Sequence, residues 1–118
     1  LGVLCHFYAD FFCYAHRRRV MENLREHVRY EVGLQRYFFA QLEQLKSLRL
    51  IGRPVGDASA EDIFRSFEQR HDRYLQTQPS FETDLVYAFA ACANAIGEIV
   101  LAQARQSAFQ LPGVAPAV

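Results

Sequence analysis

The sequence lacks most of the features that mark an enzyme or a nucleic-acid-binding protein. It has no tryptophan and a single lysine, Lys46, and its 13 basic and 13 acidic residues cancel. A balanced charge removes the overall positive field with which most such binders attract phosphates. Glycine-rich phosphate loops, dinucleotide fingerprints and Gly-x-Ser-x-Gly elbows are also missing. We therefore expect no catalytic residue, no cofactor and no direct contact with nucleic acid.

Cysteine is scarce as well. Cys5, Cys13 and Cys92 cannot all pair within one chain, and no two of them have Cys-x-x-Cys spacing. No signal sequence is visible, and reduced thiols are typical of intracellular proteins. The sequence therefore predicts a cytoplasmic protein whose thiols are structural.

The apolar residues recur with a helical period. Of the 118 residues, 51% are hydrophobic and 22% are charged, which is enough apolar material for one core without disulfides or metal. The alternation typical of strands is absent. We predict one all-α domain over residues 1–118, a small antiparallel helical bundle with a frayed tail at 111–118.

Residues 20–51 contain no proline, and their apolar side chains lie mostly three or four positions apart. As a single helix this run would be about 48 Å long, too long for a domain of this size. We expect it to bend at Gly33, because glycine weakens a helix, and to end at Gly52 and Pro54.

Two further helices have clear start signals. Ser59 and Asp62 are spaced as a capping box, and Ser80 follows the next break as a cap for a helix over 81–109. Small residues in the middle of this last helix predict close packing against its neighbours. The positions expected to pack in the core or in a dimer interface are Phe89, Cys92, Ala93, Ile96 and Val100.

The N-terminal segment, residues 1–15, is apolar on all sides but too short to span a bilayer, and we expect no membrane span in this chain. Its surplus apolar surface predicts a homodimer that buries about 2,000 Å² or more. Helical geometry places Phe11 on a side facing the bundle, with Phe7 and Tyr14 on a side facing a protein partner. The residues expected to bind that partner are Phe7, Tyr8, Phe11, Phe12 and Tyr14, with Arg17 and Arg18 at the rim.

A metal site has weak support. His27 and Glu31 lie four apart on one helical face, and His71 with Asp72 would have to add ligands from across the bundle. The chain has only 4 histidines, and none lies three or four positions from another. We expect no bound metal, an exposed His27, and a His71 that fills a gap beside Phe67 and Tyr74.

These features favour a non-enzymatic protein. The first hypothesis is a small, dimeric protein-protein interaction module, a regulator that binds and inhibits another regulatory protein such as a transcription factor, as anti-activators do. The alternative is the effector domain of a TetR-like transcriptional regulator, with an apolar ligand held between aromatic side chains. Those repressors carry an N-terminal helix-turn-helix, which residues 1–14 do not resemble.

Overall fold

The computed structural model describes residues 2–47 and 56–109, and within these ranges all regular structure is helical. The elements are α1 (Gly2–Phe11), a 3-10 turn (Tyr14–His16), α2 (Arg18–Met21), α3 (Leu24–Ala40), α4 (Leu42–Lys46), α5 (Ala60–Leu75) and α6 (Phe81–Phe109). The predicted all-α class is confirmed. The expected helix end at Gly52 and Pro54 and the tail at 111–118 lie outside the described residues.

The predicted single helix over 20–51 is wrong, because the chain breaks at two other places. The Asn23 side chain accepts a hydrogen bond from the backbone N–H of Glu26 at 3.3 Å and so starts α3 as a new helix. Gln41 leaves the helical conformation, with φ −101° and ψ 5°, and separates α3 from α4. A side-chain cap at Asn23 and a non-helical backbone at Gln41 therefore divide the run, which its apolar period does not reveal.

Gly33 lies inside α3, which continues through it from Leu24 to Ala40, so the chain does not break at this glycine. The bend expected there stays a prediction. A Cβ at position 33 would lie 2.6 Å from Cζ of Phe81, the first residue of α6. Glycine at this position therefore serves packing, because it lets the ring of Phe81 reach the backbone of α3.

The predicted starts of α5 and α6 are confirmed. Ser59 Oγ accepts from the N–H of Asp62, and the Asp62 carboxylate accepts from the N–H of Ser59, both at 3.1 Å. Ser80 Oγ accepts from the N–H of Thr83 at 3.0 Å. Each bond satisfies an N–H group that has no partner within its helix.

Phe12 is the centre of the aromatic core. It follows α1 and is 0% exposed, and its ring centroid lies 5.4 Å from those of Phe67 and Tyr74 on α5. Tyr87 of α6 stacks on it at 6.0 Å, and the small, buried Ala91 lies in the same cluster. This core holds α1, α5 and α6 together.

Helix α6 contacts α1, α3 and α5, yet it buries only Asp84, Ala91 and Ala95 completely. Large apolar side chains on its outer face remain exposed, among them Val100 and Leu101. By length and composition α6 could cross a membrane, a test that core helices of soluble proteins also pass. The small residues of α6 therefore let neighbouring helices pack closely against one of its faces, and the opposite face is exposed to solvent.

We predict that Phe12→Ala lowers the free energy of unfolding by about 3–5 kcal/mol, the range for a fully buried ring. Phe11→Ala should cost less than about half as much, because Phe11 is 53% exposed and already has water on one side. Urea unfolding of both variants measures the difference. Equal losses would contradict this assignment of the core.

Candidate metal centre

Three metal-binding side chains converge where the 3-10 turn meets α3. His16 ends the turn, and His27 and Glu31 lie one helical turn apart on α3. The Nε2 atoms of His16 and His27 each lie 3.1 Å from Glu31 Oε1, and one ligand atom from each residue falls within 4.8 Å of the others. We call these three residues the His16–His27–Glu31 cluster.

A hydrogen bond to the backbone of the 3-10 turn fixes the orientation of the His27 ring. Its Nδ1 lies 2.9 Å from the carbonyl oxygen of Ala15, and because a carbonyl only accepts, Nδ1 donates. In the neutral ring Nε2 then carries a lone pair that faces the Glu31 carboxylate oxygen. Two acceptors at 3.1 Å repel each other unless a proton or a cation lies between them.

The donor set has the chemistry of a zinc site. In a tetrahedral site with ligand distances of about 2.1 Å, two donor atoms lie about 3.4 Å apart. Each histidine Nε2 lies 3.1 Å from Glu31 Oε1, and the three ligand atoms lie within 4.8 Å of one another, so a bound ion would draw them closer together. Two imidazoles and one carboxylate are ligands that zinc accepts, and three protein ligands leave one position for water or substrate. The side chains of His16, His27 and Glu31 are 28%, 18% and 45% exposed, so the cluster is open to solvent.

A second acidic residue borders the cluster. Asp10, at the end of α1, places Oδ1 3.8 Å from His16 Nε2, and its Oδ2 lies 3.6 Å from the exposed ring of His6. Its carboxylate is partly exposed, so it can exchange protons with solvent or with a bound molecule. It supplies a second negative charge beside the imidazole of His16.

Beneath the cluster, Asp84 of α6 is 1% exposed and accepts three hydrogen bonds. The backbone N–H of Tyr14 donates at 2.9 Å, and the hydroxyls of Tyr30 and Tyr74 donate at 2.8 Å and 2.7 Å. These donors come from the 3-10 turn, α3 and α5. One carboxylate therefore ties α6 to three other segments.

The two phenols that donate to Asp84 are held neutral. Burial, and next the hydrogen bond to the Asp84 carboxylate, raises the pKa of Tyr74 and of Tyr30 well above the ordinary value of 10.0. Ionising either phenol would place a second negative charge beside a buried carboxylate. The tyrosines therefore act only as donors in the folded chain.

Two grooves meet at Asp10, Cys13 and His16. The first groove, about 550 Å³, has apolar walls from α1, α2 and α5, namely Phe7, Phe11, Met21 and Leu75, with Arg17 and Arg18 beside them. The second groove, about 470 Å³, runs between α1, α3 and α6 past Glu31, Val28, Val32, Phe38 and Leu85. Of the cluster, His16 lies where the two largely apolar grooves join, Glu31 lines the second groove, and His27 lines neither.

The aromatic residues expected to bind a protein partner do not share one surface. Phe12 is in the core, and Tyr8 packs on Phe67 with ring centroids 4.5 Å apart. Because α1 ends at Phe11, Tyr14 lies in the 3-10 turn against Tyr30 and not on a helix face with Phe7. Phe11 does face the bundle, with its ring centroid 5.3 Å from that of Phe67, but it is 53% exposed and so not fully buried.

The two rim arginines differ in environment. Arg17 packs over the ring of Tyr74 at 4.7 Å and donates to the Tyr74 carbonyl oxygen at 3.3 Å. The Arg18 side chain is 95% exposed, and its Nε lies 3.8 Å from a Glu22 carboxylate oxygen. Only Arg18 is therefore free to meet a ligand from solvent.

The residues expected to pack along α6 lie on different sides of the helix. Phe89 stacks on Phe38 at 6.0 Å, and Cys92 Sγ lies 3.5 Å from the Cys5 carbonyl oxygen. Ala93 and Ile96 are half-buried, whereas Val100 is 47% exposed. The first two pack within the chain, and a role in a dimer interface stays a prediction for Val100.

Sequence analysis found only two members of the cluster. It paired His27 with Glu31 but looked for further ligands at His71, which instead packs against Phe67 and Tyr74. The expected exposure of His27 is wrong, since its side chain is 18% exposed. The third member, His16, was not predicted. It precedes His27 by eleven positions, and the turn at 14–16 brings it back onto α3.

These features describe a helical protein with a solvent-accessible candidate metal site beside two largely apolar grooves. Residues 1–81 match the family described as zinc-dependent phospholipase C, which is more than half of the chain, so the chain belongs to this family. The match includes the whole cluster and ends before Asp84. No curated protein and no solved structure matches the chain.

Family membership overturns the functional predictions made from sequence. The interaction module that inhibits a regulatory protein, the anti-activator and the TetR-like effector domain are all wrong, and so is the expectation that the chain is not an enzyme. The reason is physical: zinc sites need only a few donors brought together by folding, and these donors share no fixed spacing along the chain. A motif search therefore had little to find.

We predict that the free energy of unfolding falls as pH rises above about 10, where the phenol of Tyr74 ionises in the unfolded chain. Its raised pKa keeps the phenol neutral in the fold, so this stabilisation is complete below that pH and is lost above it. Urea unfolding from about pH 8 to 11 measures the slope, which Tyr74→Phe should flatten. An unchanged slope in the variant would contradict the assignment.

Proposed function

We propose that this chain binds zinc through His16, His27 and Glu31 and that the site hydrolyses the phosphodiester bond of a phospholipid. The convergence of the three donor side chains carries the proposal. The description of the family supports both the metal and the class of substrate. The exposure of the cluster supports access by a substrate.

Zinc supplies Lewis acidity, which polarises a phosphoryl oxygen and favours loss of a proton from water at neutral pH. The chain's own residues supply the rest. Asp10 borders both grooves beside His16, so its carboxylate accepts a proton from the water that attacks phosphorus. As the bond between phosphorus and the lipid alcohol oxygen breaks, Asp10 returns that proton to the alcohol oxygen.

The first groove would hold the hydrocarbon part of the lipid. Phe7, Phe11 and Met21 are 58%, 53% and 56% exposed along its walls, an arrangement that costs free energy unless an apolar group covers them. The guanidinium of Arg18 at the edge adds positive charge that favours an anionic phosphate. A lipid with its chains on these rings would bring its phosphate toward His16.

Self-association and location belong to the same proposal. We propose that the helices form a small antiparallel bundle and that a second copy covers the exposed Val100 and Leu101 of α6 in a homodimer. The cytoplasmic location expected from the cysteines stays a prediction.

We expect His16→Ala and His27→Ala each to weaken zinc binding by more than about 100-fold, beyond the effect typical of residues that only orient ligands. His6→Ala is the matched control, because His6 also lies near Asp10 but outside the cluster. Isothermal titration with zinc measures affinity, and release of a water-soluble headgroup from phosphatidylcholine measures activity. Wild-type protein that binds no zinc, or a His6→Ala variant as impaired as the others, would overturn the proposed site.

We expect the double variant Phe7→Ala/Phe11→Ala to bind phosphatidylcholine vesicles at least about fivefold more weakly, because two apolar rings no longer reach the lipid. The control is Phe39→Ala/Phe64→Ala, which removes two rings that are 59% and 58% exposed but line neither groove. Co-sedimentation with vesicles measures binding, and thermal unfolding checks stability. Equal weakening by both pairs would mean that the first groove has no special role.

A further inference from the structure

Asp84 is bonded to the residues beside the metal ligands. Tyr14, whose N–H donates to it, begins the turn that ends at His16. Tyr30, whose hydroxyl donates to it, immediately precedes Glu31 on α3. The same carboxylate is therefore linked to both of the segments that supply the cluster.

This arrangement restricts how the two segments can move. A carboxylate that is 1% exposed has lost its water and must keep its donors, because an unpaired buried charge is strongly unfavourable. The donors are held at 2.9 Å and 2.8 Å. If the turn or α3 shifted by an ångström, one of these bonds would weaken, and so would the approach of His16 to Glu31.

We propose that Asp84 is the positioning residue of the zinc site: by binding Tyr14 and Tyr30 together, it holds His16 next to His27 and Glu31. This inference rests on the zinc-binding role proposed above. Asp84 lies on α6 beyond the 1–81 match, so the metal site is completed by a helix outside the region shared with the family. Asp84 itself binds no metal and touches no substrate.

The chain offers a matched control for this role. Tyr74 also donates its hydroxyl to Asp84, at 2.7 Å, but it belongs to α5, which carries none of the three metal ligands. Tyr30→Phe and Tyr74→Phe each remove one hydroxyl and one hydrogen bond to the same carboxylate. A purely structural role of Asp84 would make the two variants alike.

The first measurement is zinc affinity by isothermal titration. We expect Tyr30→Phe to weaken zinc binding by about 10-fold or more, the usual effect of losing a group that orients a ligand, and Tyr74→Phe to change it by less than about twofold. Thermal unfolding in chelator should show both variants destabilised. Equal zinc affinities in the two variants, in a wild-type background that binds zinc, would overturn the inference while leaving the proposed function in place.

The second measurement needs no metal. In zinc-free protein, the carbon-bound ring proton signals of His16 and His27 should shift in Tyr30→Phe and stay near their wild-type positions in Tyr74→Phe. If wild type binds no zinc, the proposed function fails, and these signals still decide whether Asp84 holds the histidines together. Asp84→Asn should repeat or exceed the Tyr30→Phe effect if it folds, and the tyrosine pair decides the question if it does not.

Discussion

The buried carboxylate of Asp84 is the interaction on which the rest of the structure depends. It needs donors on all sides because it is 1% exposed, and it finds them on the 3-10 turn, α3 and α5. Aromatic packing around Phe12 is tolerant of small rotations, whereas hydrogen bonds to a buried charge are directional and costly to lose. The apolar core therefore supplies most of the cohesion, and Asp84 sets the relative positions of the segments.

The parts of the fold that could be predicted from sequence are those governed by local signals. The capping box at Ser59 and the cap at Ser80 predicted the starts of α5 and α6, because a cap depends on residues only three positions apart. The role of Gly33 could not be predicted from its neighbours in sequence. Its missing side chain makes room for the ring of Phe81, nearly fifty positions away, and only the folded chain brings the two together.

The candidate site was harder to predict for the same reason. The pair His27 and Glu31 was visible because both lie on one helix, but His16 joins them through a turn whose direction depends on the bond between Tyr14 and Asp84. The role of the N-terminal aromatic residues was ambiguous in sequence for a different reason. Apolar side chains at a groove and at a protein interface have the same composition, and only their position beside polar groups with metal-binding chemistry separates the two.

The order of these residues along the chain has a consequence for biosynthesis. All members of the cluster, and Asp10 beside it, are translated well before Asp84, which at usual rates follows Glu31 by roughly 3 to 10 s. Until α6 emerges, the turn and α3 keep their direct contact through His27 and Ala15 but lack the two hydrogen bonds to Asp84. The site proposed to bind zinc is therefore complete only after α6 has emerged and docked on the turn and α3.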